Sequence, residues 1–266
     1  MRLQRIAAAA AALWLASMGP GHAQNGEDAV KAPPSPAPRN AAGRVLLSGA
    51  TPADKGVWVP NKVIVTPLIP LDQIPFQPWA KGQWDARQQT RMEPHTRCKP
   101  SGAARQFITP YGVEIDEFPT IDRIYIFDIG GPHTFRTVYM DGRSHPRDFV
   151  PTYYGHSIGW WEGDSLVIDT VGYNEGFWPD RMGLPHTNRL HTVERLTRLN
   201  ATQMKYEITF DDPGAYTKPW TASFGLRWEA GTELYEYVCQ EANEAGDLLV
   251  GKGADESLHR VSRIAP

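Results

Sequence analysis

After residue 23 the chain has no apolar run long enough to cross a bilayer as a helix. It also lacks a dinucleotide or phosphate-loop fingerprint, and no internal repeat is visible. These absences argue against an integral membrane helix and against the common redox and phosphoryl-transfer classes that hold cofactors by such motifs. Cysteine is scarce, with two in 266 residues, Cys98 and Cys239. Positive charge is also short, at 27 Lys and Arg against 30 Asp and Glu. No identified cofactor follows from the sequence, and no motif assigns an oligomeric state.

The one long apolar run lies at the start. Arg2 and Arg5 precede the stretch Ile6 to Ala16, and Gly21-His22-Ala23 supplies small residues around a cleavage point. Residues 1–23 read as a secretory signal peptide, so the protein is expected in the periplasm or outside the cell. A buried N-terminal helix is the alternative. Removing the leader takes away two arginines and leaves a net charge near −5. That argues against nucleic acid or an anionic membrane as partner and leaves a small molecule. In an exported chain an even cysteine count reads as one disulfide, Cys98 with Cys239. Two buried thiols are the alternative.

Proline is plentiful at the N-terminal side. Residues 24–56, with Pro33, Pro34, Pro36 and Pro38, read as a flexible tether. Residues 57–112 read as a proline-rich arm. Pro60, Pro67, Pro70, Pro75 and Pro78 argue there against a central strand. One short helix is expected from Trp79 to about Arg91, with Ala80, Trp84 and Gln88 near one face and Pro94 as its stop.

From Val113 the period changes to two. Strands are expected at 113–118, 122–129, 134–140, 157–162, 165–172, 190–199, 203–211, 220–228 and 233–241. Tight turns fall at Gly130-Gly131-Pro132, Glu162-Gly163-Asp164, Asn200-Ala201-Thr202 and Glu229-Ala230-Gly231-Thr232. Long connections run over 141–156, 173–189 and 212–219. The expected fold is all-β, an antiparallel up-and-down meander of eight or nine strands over 113–266. Closure into a barrel removes exposed strand edges, and arm and barrel form one domain. A β-sandwich is the alternative. In a strict meander the tight turns share one end and the long loops the other.

Five of eight histidines, His133, His145, His156, His186 and His191, lie within residues 133–191. All but His133 map to the long-loop end. Candidate catalytic residues are His156, His191, His186 and Asp141. Candidate substrate-binding residues are Arg143, His145, Trp178, Asp211 and Tyr216. Imidazoles suit proton transfer near neutral pH, and Arg143 suits an anionic or carbonyl group. Each residue also has a plain structural reading: Asp141-Gly142-Arg143 and Asp211-Asp212-Pro213-Gly214 as turns, Trp160, Trp161, Trp220 and Trp228 as core, any one histidine as a hydrogen-bonded support.

Gly155-His156-Ser157-Ile158-Gly159 matches the G-x-S-x-G elbow, but a β-hairpin follows it where the elbow needs a helix. His186, His191 and Glu194 do not fit a metal motif. On a helix the two histidines lie about 140° apart, and on a strand His191 and Glu194 face opposite sides. Zinc held by three histidines from separate loops stays open as a cofactor.

Residues 124–128 (IYIFD), 139–146 (YMDGRSHP), 161–170 (WEGDSLVIDT), 184–187 (LPHT) with 190–195 (LHTVER), and 211–220 (DDPGAYTKPW) recur in this order in a large family of exported proteins of soil bacteria, which the chain resembles from about Trp79 to Glu241. That resemblance implies export and brings no assigned activity. A second resemblance, to lipocalin-like barrels, rests on the strand pattern alone, shares no motif and assigns no function. Two functions follow as expectations. One is an enzyme using His/Asp acid–base chemistry in the barrel mouth on a glycoside, ester or aromatic compound, by hydrolysis, elimination or isomerisation. The other is a non-catalytic periplasmic carrier of such a molecule.

Overall fold

The computed structural model describes residues 34–90, 93–130 and 132–239. Nine strands close into a barrel in chain order: β1 (Gly56–Pro60), β2 (Val113–Phe118), β3 (Arg123–Asp128), β4 (Thr134–Tyr139), β5 (His156–Glu162), β6 (Ser165–Val171), β7 (His191–Arg198), β8 (Gln203–Asp211) and β9 (Trp220–Ala230). Eight of these follow the period-two pattern of the sequence. The ninth does not come from 233–241. Residues 232–238 form no strand, and 240–241 lie outside the described residues.

The place beside β9 is taken by β1, which pairs from Gly56↔Ala230 to Pro60↔Leu226. The prolines of the arm therefore did not prevent a closing strand. Pro60 is the last residue of β1, and its missing N–H is tolerated at a strand end. Trp58, fully buried, faces the core and pairs with Val113 of β2.

Residues 34–56 are not a free tether. Asn40 Oδ1 accepts from the amides of Ala42 and Arg44 and folds a small turn, so that Arg39 bridges to Val45. Val45 and Leu47 are fully buried. The sequence Val45-Leu46-Leu47 was enough apolar surface to dock the segment.

The helix forms at α1 (Pro78–Thr90), with Pro78 in the first turn, where its lost donor costs nothing. Ala80 and Trp84 are its buried residues, as the spacing requires. A second helix, α2 (Ala103–Phe107), is buried along its whole length. Five residues are too few to show a helical period, which is why no helix is expected there from the residue pattern. Phe107 packs on Tyr206 inside the barrel, with ring centroids 4.5 Å apart.

All neighbouring strands are antiparallel except β4 and β5, which run parallel with Val138↔Ser157 and Tyr139↔Ile158. Residues 140–155 therefore carry the chain back along the wall from one end of the barrel to the other. This breaks the strict meander. The connections 129–133, 172–190 and 212–219 share one end, here the loop end. The connections 119–122, 163–164 and 199–202 share the opposite turn end. His156, His191 and Asp211 lie at the loop end and Asn200 at the turn end, as expected. The tight turn 130–132 and His133 lie at the loop end, not opposite it. Asp141 follows the turn-end terminus of β4.

The barrel interior is filled. On β4 to β8 the inward set includes Arg136, Ser157, Thr170, Thr192, Glu194 and Tyr206, all buried. Arg136 and Glu194 form a two-point ion pair, with Arg136 Nη1 donating to Glu194 Oε1 at 3.0 Å. Arg136 Nε donates to Ser157 at 2.9 Å and Nη2 to Thr170 at 2.8 Å. Tyr206 donates its hydroxyl to Glu194 at 2.7 Å. Every charge is thus met by an opposite charge or a hydrogen bond, which buried ions require. Outside the barrel, Cys98 and Cys239 form the expected disulfide, their Cα atoms 5.7 Å apart.

Candidate functional site

Side chains alternate across a strand, so the inward position of Ser157, Thr170 and Glu194 sends His156, Asp169 and His191 outward. The register agrees. Ile158 pairs with Asp169 and Asp169 with Val193, and each histidine stands two residues before its strand's paired residue, on the same face. The histidine cluster is therefore on the outer wall of the barrel and not in its mouth. The inward positions were claimed by the Arg136–Glu194 network, and one face cannot hold both sets.

Loop 140–155 completes the site by bringing His145 down onto this wall. His145 Nε2 donates to Asp169 Oδ1 at 3.0 Å, and His191 Nε2 donates to the same oxygen at 3.0 Å. The other nitrogen of His145, Nδ1, lies 2.8 Å from His156 Nδ1, so one hydrogen is shared between the two rings. A continuous chain results: Asp169, His145, His156, with His191 as a second branch from the carboxylate. Asp169 is the residue that sequence reasoning missed. Its signal was an acid in the middle of the apolar strand Ser165–Val171, at an outward position.

The environment separates the two outer histidines. His156 is held below the usual imidazole value by partial burial, then by neighbouring His145 and Arg143. His191 is raised by its hydrogen bond to Asp169 and by the charges of Asp169 and Asp211. Burial pushes the Asp169 carboxyl up, but hydrogen bonds from His191 and His145 outweigh it and hold it below the usual carboxylate range. The two imidazoles are thus shifted in opposite directions.

Tyr139 forms the floor beside His156. Their rings stack at 5.0 Å with planes 17° apart. The Arg143 and Arg123 guanidinium carbons lie 4.1 and 4.4 Å from the Tyr139 centroid. Asp141 accepts from Arg143 Nε at 2.8 Å and Nη2 at 2.6 Å, and from Arg123 Nη1 at 3.3 Å. These contacts hold its carboxyl well below the usual range, the hydrogen bond from Arg143 contributing most. Asp141 is therefore a clamp for Arg143 and not an acid–base group.

The remaining sequence candidates do not join the cluster. His186 is buried, with Nε2 3.1 Å from the Phe177 carbonyl and Nδ1 3.2 Å from that of Thr187. Burial lowers it below the usual value. It braces loop 172–190 and is no catalyst. Trp178 is buried beneath the Arg87 guanidinium of α1, 4.8 Å from its centroid. Tyr216 is buried and donates to the Pro185 carbonyl at 2.7 Å. Arm and helix cover the loop end, and these three residues were taken up in fixing them. Asp211 reaches the site only as a charge beside its cross-strand partner His191. Ser157 of the G-x-S-x-G match faces the interior network, so no elbow forms.

Among the described residues no group of three or more His, Cys, Asp or Glu side chains is arranged to hold a metal ion. Nor does any helix among them have the length and apolarity to cross a membrane. Comparison with known proteins adds no identity to this geometry: no family model matches the chain, and neither a curated protein nor a solved structure is significantly similar to it.

Proposed function

We propose that this is an exported enzyme that performs acid–base chemistry on a small organic molecule at the outer wall of the barrel, beneath loop 140–155. The observation that carries this reading is the single Asp169 oxygen 3.0 Å from both His145 and His191, with His145 passing the chain on to His156 at 2.8 Å. Pairs of titratable groups whose surroundings push them apart mark an acid and a base. His156, lowered, is the base. His191, raised, is the acid. Asp169 and His145 are positioning residues. They orient the rings and stabilise the cation formed when His156 takes a proton, the part a buried carboxylate plays behind a catalytic imidazole. Arg143, fixed by Asp141 over Tyr139, receives a carboxylate or polarised carbonyl oxygen.

This chemistry fits ester hydrolysis by water activated at His156, or proton abstraction and return in an isomerisation or elimination. A glycoside is a poorer fit, because most glycosidases need two carboxyl groups free to act. Here Asp169 is engaged by two imidazoles and Asp141 by two guanidiniums. The carrier reading needs an apolar cavity, and the barrel centre is occupied by the Arg136–Glu194 network and by α2.

The test begins without a substrate. Histidine ring NMR should give His156 a titration midpoint below the ordinary imidazole value and His191 one above it. Exchange of Asp169 for Asn should bring His191 back down. A panel of small esters and carbonyl compounds then identifies turnover. Its kcat/KM should rise with pH through the His156 midpoint and fall through that of His191. Midpoints in the reverse order would end this assignment.

A further inference from the structure

At the turn end the barrel mouth is closed by the chain's own residues 44–48, and the way they are held is unusual for a packed segment. The Leu46 amide donates to the Pro38 carbonyl and the Arg44 carbonyl accepts from the Asn40 amide, both at 2.9 Å, while side chains read the Leu47 amide and the carbonyls of Leu46, Leu47 and Ser48. The Leu47 amide donates to Glu117 Oε1 at 2.9 Å, and the Leu47 carbonyl accepts from Trp58 Nε1 at 2.7 Å. Arg198 Nη1 donates to the carbonyls of Leu46 and Ser48 at 2.7 and 2.6 Å. The Leu47 side chain enters the core, fully buried. A segment that belongs to a sheet spends its amides and carbonyls on a neighbouring strand. A bound peptide is recognised by side chains fixed around its backbone, with one pocket for an anchoring residue.

The readers are themselves fixed. The Arg198 guanidinium lies over Trp58 and Trp228, at 4.9 and 5.5 Å from their centroids. Glu117 also receives Arg44 Nη1 at 2.6 Å. The connection from the segment to β1 is a short turn in which Asp54 Oδ2 accepts from the Thr51 amide and hydroxyl at 3.0 Å, and the Lys55 carbonyl accepts from the Gly231 amide at 2.8 Å. Ala50 to Lys55 are exposed, and the connection borders clefts of about 350 and 440 Å³ that share Trp228. Val45 and Leu47 are the deeply buried apolar side chains of the segment, and with these hydrogen bonds and ion pairs they offset the entropy of ordering the turn and strap.

We propose that the turn-end mouth is a peptide-binding site, built from Trp58, Glu117 and Arg198, and that residues 44–48 are its intramolecular occupant. Its ligand is an extended peptide with one leucine-like residue whose flanking carbonyls meet Arg198. The site is distinct from the histidine cluster on the outer wall, although its Arg44 and Glu117 share a cleft with Arg123.

Two measurements on the whole protein test this. The first is hydrogen exchange on the unmodified chain. Peptides covering residues 44–48 should exchange by local opening, roughly 10²-fold or more faster than peptides of β7 and β8. Exchange in step with β7 and β8 would make the strap part of the global fold and overturn the proposal. The second replaces residues 51–54 with a protease recognition sequence. After cleavage, a fluorescent synthetic peptide of residues 39–50 should displace the nicked segment at one per barrel. Uptake should fall at least 10-fold with Arg198→Met, while far-ultraviolet circular dichroism stays unchanged. No uptake by a folded nicked protein, or unfolding when the segment leaves, would each refute the site.

Discussion

The position of the histidine site depends on which face of β5, β6 and β7 points inward, and the Arg136–Glu194 pair decides that. A slip of one residue would turn Glu194 out and bring Asp169 and the histidines inside. Removing the arginine is therefore a sharp perturbation. In Arg136→Met the Glu194 carboxylate keeps only the Tyr206 hydroxyl, at 2.7 Å, and loses both nitrogens of its partner. Ser157 and Thr170 keep each other at 2.9 Å but lose their guanidinium donors. Both members of the pair are essentially inaccessible, at 1% and 0% exposure, so water cannot replace what is lost. Leaving one buried charge uncompensated costs about 3–5 kcal/mol. Replacing both partners by apolar residues, Arg136→Met with Glu194→Leu, removes the desolvation penalty with the charge. The double variant should recover to within about 2 kcal/mol of the parent. Urea unfolding of the oxidised protein at pH 7 measures all three, and the slope should not change. A single variant costing under about 1 kcal/mol would refute the inward assignment. A double variant as unstable as the single one would refute the reasoning about the pair.

Other outcomes follow from the same geometry. His156→Ala and His191→Ala should each lower kcat by roughly 10²-fold or more with binding nearly unchanged. His186→Ala should instead lower the melting temperature and leave the His156 and His191 titrations in place, since it braces loop 172–190. Removing the disulfide with Cys98→Ser and Cys239→Ser should cost about 4–5 kcal/mol in urea unfolding, because it closes a loop across 141 positions. Asp128, buried and pushed up to about 7, takes up a proton on folding between pH 3.8 and 7. A raised acid gives stability that is full below the unfolded value of 3.8 and lost as pH rises through 7. Buried His95, lowered to about 3, works in the opposite sense and gains stability over pH 3 to 6.5. The comparison to make is therefore Asp128→Asn against the parent from pH 4 to 8. The variant should gain on the parent by up to ~4 kcal/mol across that range. Parallel curves would show that Asp128 is ionised in the fold.

The strands from 113 to 230 were legible because one face of each is buried, and burial on one face writes a period of two into the residues. The histidines at the starts of β5 and β7 were legible for the same reason. What escaped notice had no local pattern. β1 is five residues with a terminal proline, and only its partner β9, far along the chain, makes it a strand. The parallel pairing of β4 with β5 is set by the path of loop 140–155, whose composition looks like any surface loop. That pairing, with the inward claim of Arg136 and Glu194, moved the site from the mouth to the wall. Asp169 could have been found from its outward place between buried Ile168 and Thr170, but its partner His145 comes from a loop with no period at all.

Closure between β1 and β9 also sets a timetable. The strand made first pairs with β2 through Trp58↔Val113, but its other edge waits for the strand made last, since Gly56 pairs with Ala230. Until then the inner face of the sheet is uncovered and both free edges carry unpaired amides, the state most open to misassembly. Cys98 cannot reach Cys239 any earlier, since Cys239 follows β9. Pairings of such long separation make a slow folder. A chain without β9 is therefore an open sheet with free edges at β1 and β8, and it closes only when β9 pairs with both.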